Sequence, residues 1–240
     1  MRIVALTQKG VNKDENEDRI IVGKTILAGG AFRCDNFTGV IAVADGVGGH
    51  KAGAVASHFV ANRVGELRNC TIDQFKAINQ DLIAKSNSDE CLHNMATTLS
   101  GIYCDKSVIN YFHVGNTRIY ALQGSGYLKQ ITEDDTTLNY LIKTGKLSQE
   151  DAVAFPNKNE ITACFGAGNP ELFNMKIANM PDVRTLLLTS DGVHEYASID
   201  ELEDIFQNEN DISVVCQKIA ERAVSNGSHD DISVLIAHIE

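Results

Sequence analysis

Three apolar runs in this chain each meet an aspartate at one end. Val40-Ile41-Ala42-Val43-Ala44 leads straight into Asp45-Gly46, and Leu186-Leu187-Leu188-Thr189-Ser190 leads into Asp191-Gly192. Asp230-Asp231 immediately precedes Ile232-Ser233-Val234-Leu235-Ile236-Ala237. A short unbroken apolar run is the pattern of a strand covered on both faces. A carboxylate at the mouth of such a strand is partly desolvated, at a cost on the order of several kcal/mol unless a countercharge or metal is present. Carboxylate oxygens, with a backbone carbonyl and waters, make the hard octahedral environment that Mg²⁺ and Mn²⁺ prefer. Glycine after the aspartate allows the backbone to approach a cation closely. Asp-Gly is also a strong hairpin-turn signal, so each pair taken alone reads as a turn. The recurrence argues for more. A helical pattern, not a returning strand, follows Asp45, and Glu195 to Glu203 after Asp191 does not read as a strand either.

Further strand-like runs lie at Ile3 to Thr7, Arg19 to Val22, Thr97 to Tyr103, Val108 to Val114 and Arg118 to Leu122. Helical periodicity appears from Ala54 to Val64 and again at Ile212, Val215, Cys216, Ile219, Ala220 and Ala223, with a stop near Asn226-Gly227. Thr71-Ile72-Asp73-Gln74 and Ser198-Ile199-Asp200-Glu201 are capping boxes, each opening a helix. Helices come in pairs and strands in runs joined by short turns. That order predicts an α+β fold with antiparallel sheets, not strict βαβ alternation. No linker, repeat or low-complexity stretch divides the 240 residues, so one domain over 1–240 is expected.

Composition narrows the function classes. A net charge of −11 argues against nucleic acid as a partner, because phosphate backbones need a basic footprint. Six scattered cysteines without a C-x-x-C pair suggest a reducing compartment. No run approaches the ~20 apolar residues of a membrane span, and the N-terminus lacks a signal peptide's apolar region. A cytoplasmic protein without a membrane partner is expected. The phosphate-loop pattern and a nucleophilic D-x-D pair are both missing from the sequence.

The motifs, in order, resemble those of the metal-dependent protein phosphatase family called type 2C, in its bacterial form. The resemblance is carried by Gly10 to Asp18, Ala44-Asp45-Gly46-Val47-Gly48-Gly49-His50, His113-Val114-Gly115-Asn116-Thr117-Arg118, Ile131 to Gly145, Leu188 to Val193, and Ser228 to Ser233. It implies a four-layer α-β-β-α sandwich, two antiparallel sheets flanked by helix pairs. It also implies hydrolysis of phosphoserine and phosphothreonine in proteins with two Mn²⁺ or Mg²⁺ ions. By the same resemblance Asp45 bridges the two metals, with the Gly46 carbonyl completing one shell. Asp191 and Asp230 hold the other metal, Glu17 acts through bound water, and Lys13 binds the substrate phosphate. The implied partners are phosphorylated proteins, including those of a cognate kinase, and the implied state is a monomer.

Four positions depart from the pattern. Lys13 stands where many members carry arginine, keeping the charge but losing the bidentate fork. Asn116 replaces an aspartate that helps to hold a third metal in several bacterial relatives, and its neutral amide argues against a third ion. Val47 occupies the place of a histidine proposed as general acid in eukaryotic members, while His50 reads as a helix-start or surface residue. Asp231 stands where asparagine is commoner, and the sequence leaves open whether it adds charge to a metal site or faces solvent. Lys13 and Asn116 also suit an alternative, a catalytically weak or inactive module that keeps the fold for binding or regulation. Retention of Asp45, Asp191 and Asp230 speaks against it.

Overall fold

The structure, a computed structural model, describes residues 1–47, 51–105, 108–124, 126–152, 154–156, 158–167, 170, 173–180 and 182–239. His50, with Gly48 and Gly49, lies outside them.

The chain opens with β1 (Arg2–Gln8), β2 (Arg19–Val22), β3 (Thr25–Leu27), β4 (Gly30–Cys34), β5 (Gly39–Ala44) and the short β6 (Gly46–Val47). A helix pair follows, α1 (Lys51–Gly65) and α2 (Ile72–Asn87). Then come β7 (Ala96–Thr97), β8 (Leu99–Asp105), β9 (Val108–Val114), β10 (Arg118–Leu122) and β11 (Leu128–Gln130). The shorter helices α3 (Thr137–Lys143) and α4 (Gln149–Ala152) precede β12 (Lys176–Asn179) and β13 (Thr185–Thr189). The chain ends with α5 (Asp191–His194), α6 (Ile199–Asn208), α7 (Ile212–Ser225) and β14 (Ile232–His238).

Among the described residues the strands form two six-stranded sheets, ordered β11-β10-β13-β14-β1-β4 and β12-β9-β8-β5-β2-β3, plus the β6-β7 ribbon. Every described strand pairing is antiparallel. The run expected as one strand from Thr97 to Tyr103 is divided between β7 and β8. Thr97 pairs with Gly46 in the small ribbon, while Leu99 starts the pairing with β9.

Three apolar clusters explain the layering. Ile3, Ile20, Ile41, Ile102, Leu186 and Leu235 pack together from both sheets, which therefore lie face to face. The outer face of one sheet, with Ala42 and Phe112, packs on Val60, Phe75 and Leu82 of α1 and α2. The outer face of the other, with Leu187 and Ile236, packs on Leu202, Val215 and Ile219 of α6 and α7. This is the expected α-β-β-α order. The central strands β5, β13 and β14 are buried on both faces, so they read as unbroken apolar runs. Each fully buried Leu, Ile or Val in them contributes about 1.5–3 kcal/mol. Both expected capping boxes form, Thr71 with Gln74 and Ser198 with Glu201.

Candidate metal centre

Register brings the acids together. Arg19 pairs with Ala44, so Asp18, just before β2, lies beside Asp45, just after β5. Thr189 pairs with Val234, so Asp191, after β13, and Asp230-Asp231, before β14, leave their sheet at the same end. Arg118 pairs with Thr189, which puts Asn116 near Asp191. The two sheets thus deliver their acids to one edge of the sandwich.

Asp45 is fixed through its backbone. Its N–H donates to Thr98 Oγ1 (3.1 Å), and its carbonyl accepts from Thr97 Oγ1 (2.8 Å) and the Thr98 N–H (2.9 Å). Burial, reinforced by the charges of Asp191, Asp18 and Asp230, pushes the Asp45 carboxyl well above the usual range. A side-chain interaction between Asp45 and Asp191 raises the first carboxyl further and partly offsets the rise of the second. Burial and the Asp230 charge also raise Asp191, whose Oδ2 accepts from Asn116 Nδ2 at 3.1 Å.

Gly46 follows at a point where α1 comes very close. A Cβ there would lie 2.3 Å from the Gly53 carbonyl oxygen, and one on Gly53 would lie 2.5 Å from Glu17 Oε1. This Gly46–Gly53 contact, with the Gly46 N–H donating to the Glu17 carbonyl, locks the Asp45 turn to the Glu17 loop.

Asp231 is buried and serves as a clamp: Oδ1 accepts from the Gly10 N–H (2.8 Å) and Oδ2 from the Glu17 N–H (2.7 Å). That settles the question left open by its sequence. Lys13 sits among the acids, paired with Asp230, with Asp231 at 3.2 Å and with Glu17 Oε2 at 3.4 Å. These contacts raise its pKa against the lowering effect of burial. Burial raises Glu17, and the Lys13 charge partly offsets this.

Asp18 belongs to the same group although the sequence reading did not single it out. It is 1% exposed. Burial pushes its carboxyl up to about 8 despite hydrogen bonds with Ser190 and Ser233, and the Asp231 and Asp191 charges add to the shift. The criterion that selected Asp45, an acid at the mouth of an apolar strand, applies equally to Asp18 before Arg19-Ile20-Ile21-Val22. Only the shortness of that run hid it. His194, by contrast, bonds Thr189 Oγ1 (2.9 Å) through Nδ1, and burial holds it well below its ordinary pKa.

Among the described residues no three His, Cys, Asp or Glu side chains are already closed around one point. The acids interact in pairs, and Lys13 supplies the local positive charge. Yet Glu17 Oε1, Asp18 Oδ2 and Asn116 Oδ1 are buried without a hydrogen-bond partner. Unpartnered oxygens beside mutually repelling carboxylates suit a hard divalent cation, which takes oxygen ligands and relieves that repulsion. The residues present fit such an ion.

The chain matches the family model described as protein phosphatase 2C over residues 27–232. It is 29% identical over 243 residues to the serine/threonine phosphatase stp of Listeria welshimeri, covering 96% of this chain and 92% of that one. Protein phosphatase PhpP of Streptococcus pneumoniae is 29% identical over 248 residues, covering 98% and 96%. The crystal structure of the serine/threonine phosphatase Stp1 from Staphylococcus aureus superposes with a TM-score of 0.81 at 26% identity, covering 99% of this chain and 94% of that one. A shared model over most of the length, and a shared fold over nearly all of it, make this chain a member of the protein phosphatase 2C family.

Proposed function

We propose that this chain hydrolyses phosphoserine and phosphothreonine esters on proteins, with two Mn²⁺ or Mg²⁺ ions at the acidic edge of the sandwich. Asp45, with the Gly46 carbonyl, and Asp191 and Asp230 would hold the ions, and Glu17 would act through a bound water. When bound, the ions supply a water acidified toward neutral pH and positive charge against the phosphoryl oxygens. The ester P–O bond breaks, water oxygen joins phosphorus, and the serine or threonine hydroxyl leaves with a proton. Positioning is the protein's main contribution to such a transfer. Here it comes from the threonine bonds on Asp45, the Gly46–Gly53 contact and the Asp231 clamp on the Glu17 loop. Lys13, held among Glu17, Asp230 and Asp231, would supply a cation for the substrate phosphate.

The observation carrying this reading is the meeting of Asp45, Asp191 and Asp18, all with raised pKa, beside oxygens that lack donors. The test is phosphate release from phosphoserine, phosphothreonine and phosphotyrosine peptides with added Mn²⁺. Turnover on the first two, lost on chelation and in Asp191→Ala, is expected. No turnover with any metal would favour the binding-module alternative, and faster turnover on phosphotyrosine would overturn the residue preference.

A further inference from the structure

Beside the metal centre lies a cleft of about 340 Å³, within the range of about 300–1,000 Å³ typical of ligand sites. One wall is Asn116 with Glu195, and the other is Leu138, Asn139 and Asn159 of the 136–162 segment, which carries α3 and α4. Among the described residues its lining is polar except for Leu138. Such walls suit the main chain of an extended peptide, whose N–H and C=O groups all need partners. Asn116 joins the cleft to the metal centre, because the same side chain donates to Asp191.

Asp135, outside the cleft, ties the two walls together. Its N–H donates to the Gly115 carbonyl (2.7 Å), and its Oδ2 accepts from the Gly115 N–H (3.1 Å). The residue before Asn116 is thus held in both directions. The Asp135 carbonyl accepts from the N–H of Thr162, where the 136–162 segment returns (2.8 Å). The segment closes on itself at that point: Thr136 bridges Ile161, and the Thr137 N–H donates to the Glu160 carbonyl (2.9 Å). Asp135 Oδ1 accepts from Lys176 Nζ of β12 at 2.6 Å.

Any residue at this position could make the two backbone bonds. The carboxylate adds two more, and bonds to an ionised acceptor are the stronger kind. They turn a two-point hinge into a four-point attachment. On its other side Gly115 packs so closely on Thr98 that a Cβ would lie 2.6 Å from that side chain. Thr98 in turn holds the backbone of Asp45. The Asn116 wall is therefore the fixed one, and the Asp135 carboxylate decides where the opposite wall stands.

We infer that Asp135 is a positioning residue: it sets the width of this cleft, and through it the binding of the substrate's peptide chain beyond the phosphate-bearing residue. The inference rests on the phosphatase reading. Asp135 acts through Gly115 and Thr162, not on the reacting atoms. A small aryl phosphate needs the metal centre alone, whereas a phosphopeptide needs the cleft as well. Loosening the cleft weakens ground state and transition state alike, which raises KM and leaves kcat nearly as it was.

The test compares Asp135→Ala with wild type in two ways. Hydrogen exchange, followed by mass spectrometry, should rise by about tenfold across 136–152 while β5, β13 and β14 stay protected. With Mn²⁺, KM for a phosphothreonine peptide should rise by about tenfold, with kcat kept and kcat/KM for p-nitrophenyl phosphate reduced by no more than about threefold. Asp135→Asn with Lys176→Met is the rescue, since the amide oxygen still accepts from Gly115 and its N–H groups no longer meet an ammonium. That pair should recover most of the wild-type KM, and Asp135→Asn alone should not; this comparison carries the test if Asp135→Ala does not fold. Unchanged peptide KM in an active variant, unchanged exchange across 136–152, or equal losses on both substrates would overturn the inference alone. No turnover by wild-type protein on either substrate would overturn the phosphatase reading and this inference with it.

Discussion

The amide nitrogen of Asn116 lies 3.1 Å from Asp191 Oδ2, and the amide oxygen of the same side chain is buried without a donor. This residue thus steadies one acid of the centre and offers a neutral oxygen beside it. Asn116→Asp would remove the donor and add a repelling charge. We expect the metal-free variant to lose about 1–3 kcal/mol of stability. Calorimetric titration of Mn²⁺ should then show tighter or additional binding. An unchanged isotherm would separate Asn116 from the cation site.

Asp231 ties two chain segments together through the N–H groups of Gly10 and Glu17. Asn at this position keeps one acceptor and turns an amide N–H toward the other donor. Asp231→Asn should cost about 2–3 kcal/mol in urea unfolding. Weaker Mn²⁺ binding should accompany it, because the Glu17 loop loses its anchor. Wild-type stability in that variant would contradict the clamp.

Gly53→Ala would drive a Cβ to within 2.5 Å of Glu17 Oε1 and 2.7 Å of the Gly46 carbonyl oxygen. The backbone cannot yield there without moving Asp45. A loss of about 3 kcal/mol or more is expected, in the range of severe core substitutions. Metal affinity should fall with it. Thermal unfolding in chelator, followed by Mn²⁺ titration, measures both.

The metal-free protein should become less stable as pH rises from about 4 to about 8. In the folded chain Asp18 holds its proton to about 8, whereas unfolded it releases it near 3.9. Between those values the folded state binds the extra proton, so raising pH favours unfolding. The raised Asp45, Asp191 and Glu17 act in the same direction. Chelated protein should melt lower at pH 8 than at pH 5, and Asp18→Asn should flatten the slope. Excess Mn²⁺ should restore stability at pH 8. Higher melting at pH 8 in chelator would refute the charge balance.

Much of this was readable in the sequence because the signals were local. The ends of β2, β9 and β10 coincide with the expected runs, and both capping boxes form as written. Edge strands were not readable. β3, β4, β11 and β12 are short and largely half-buried or exposed, so neither an apolar run nor clear alternation marks them. Asp45, Asp191 and Asp230 were found by one rule, acid at a strand mouth, and the structure brings them to one edge of the fold. What could not be read depends on long-range contacts. The Asp231 clamp spans the chain to Gly10, Lys13 is enclosed by acids distant in sequence, and the Gly46–Gly53 contact needs α1 in place.

The central claim is that these carboxylates hold catalytic divalent cations. Its most direct measurement is Mn²⁺ binding to chelated protein by calorimetry, run in parallel with phosphate release from a phosphothreonine peptide. Wild-type protein should bind two ions and gain activity as they fill, while Asp45→Asn should lose both together. Hydrolysis that persists in chelator, or Mn²⁺ binding unchanged by Asp45→Asn, would contradict the account.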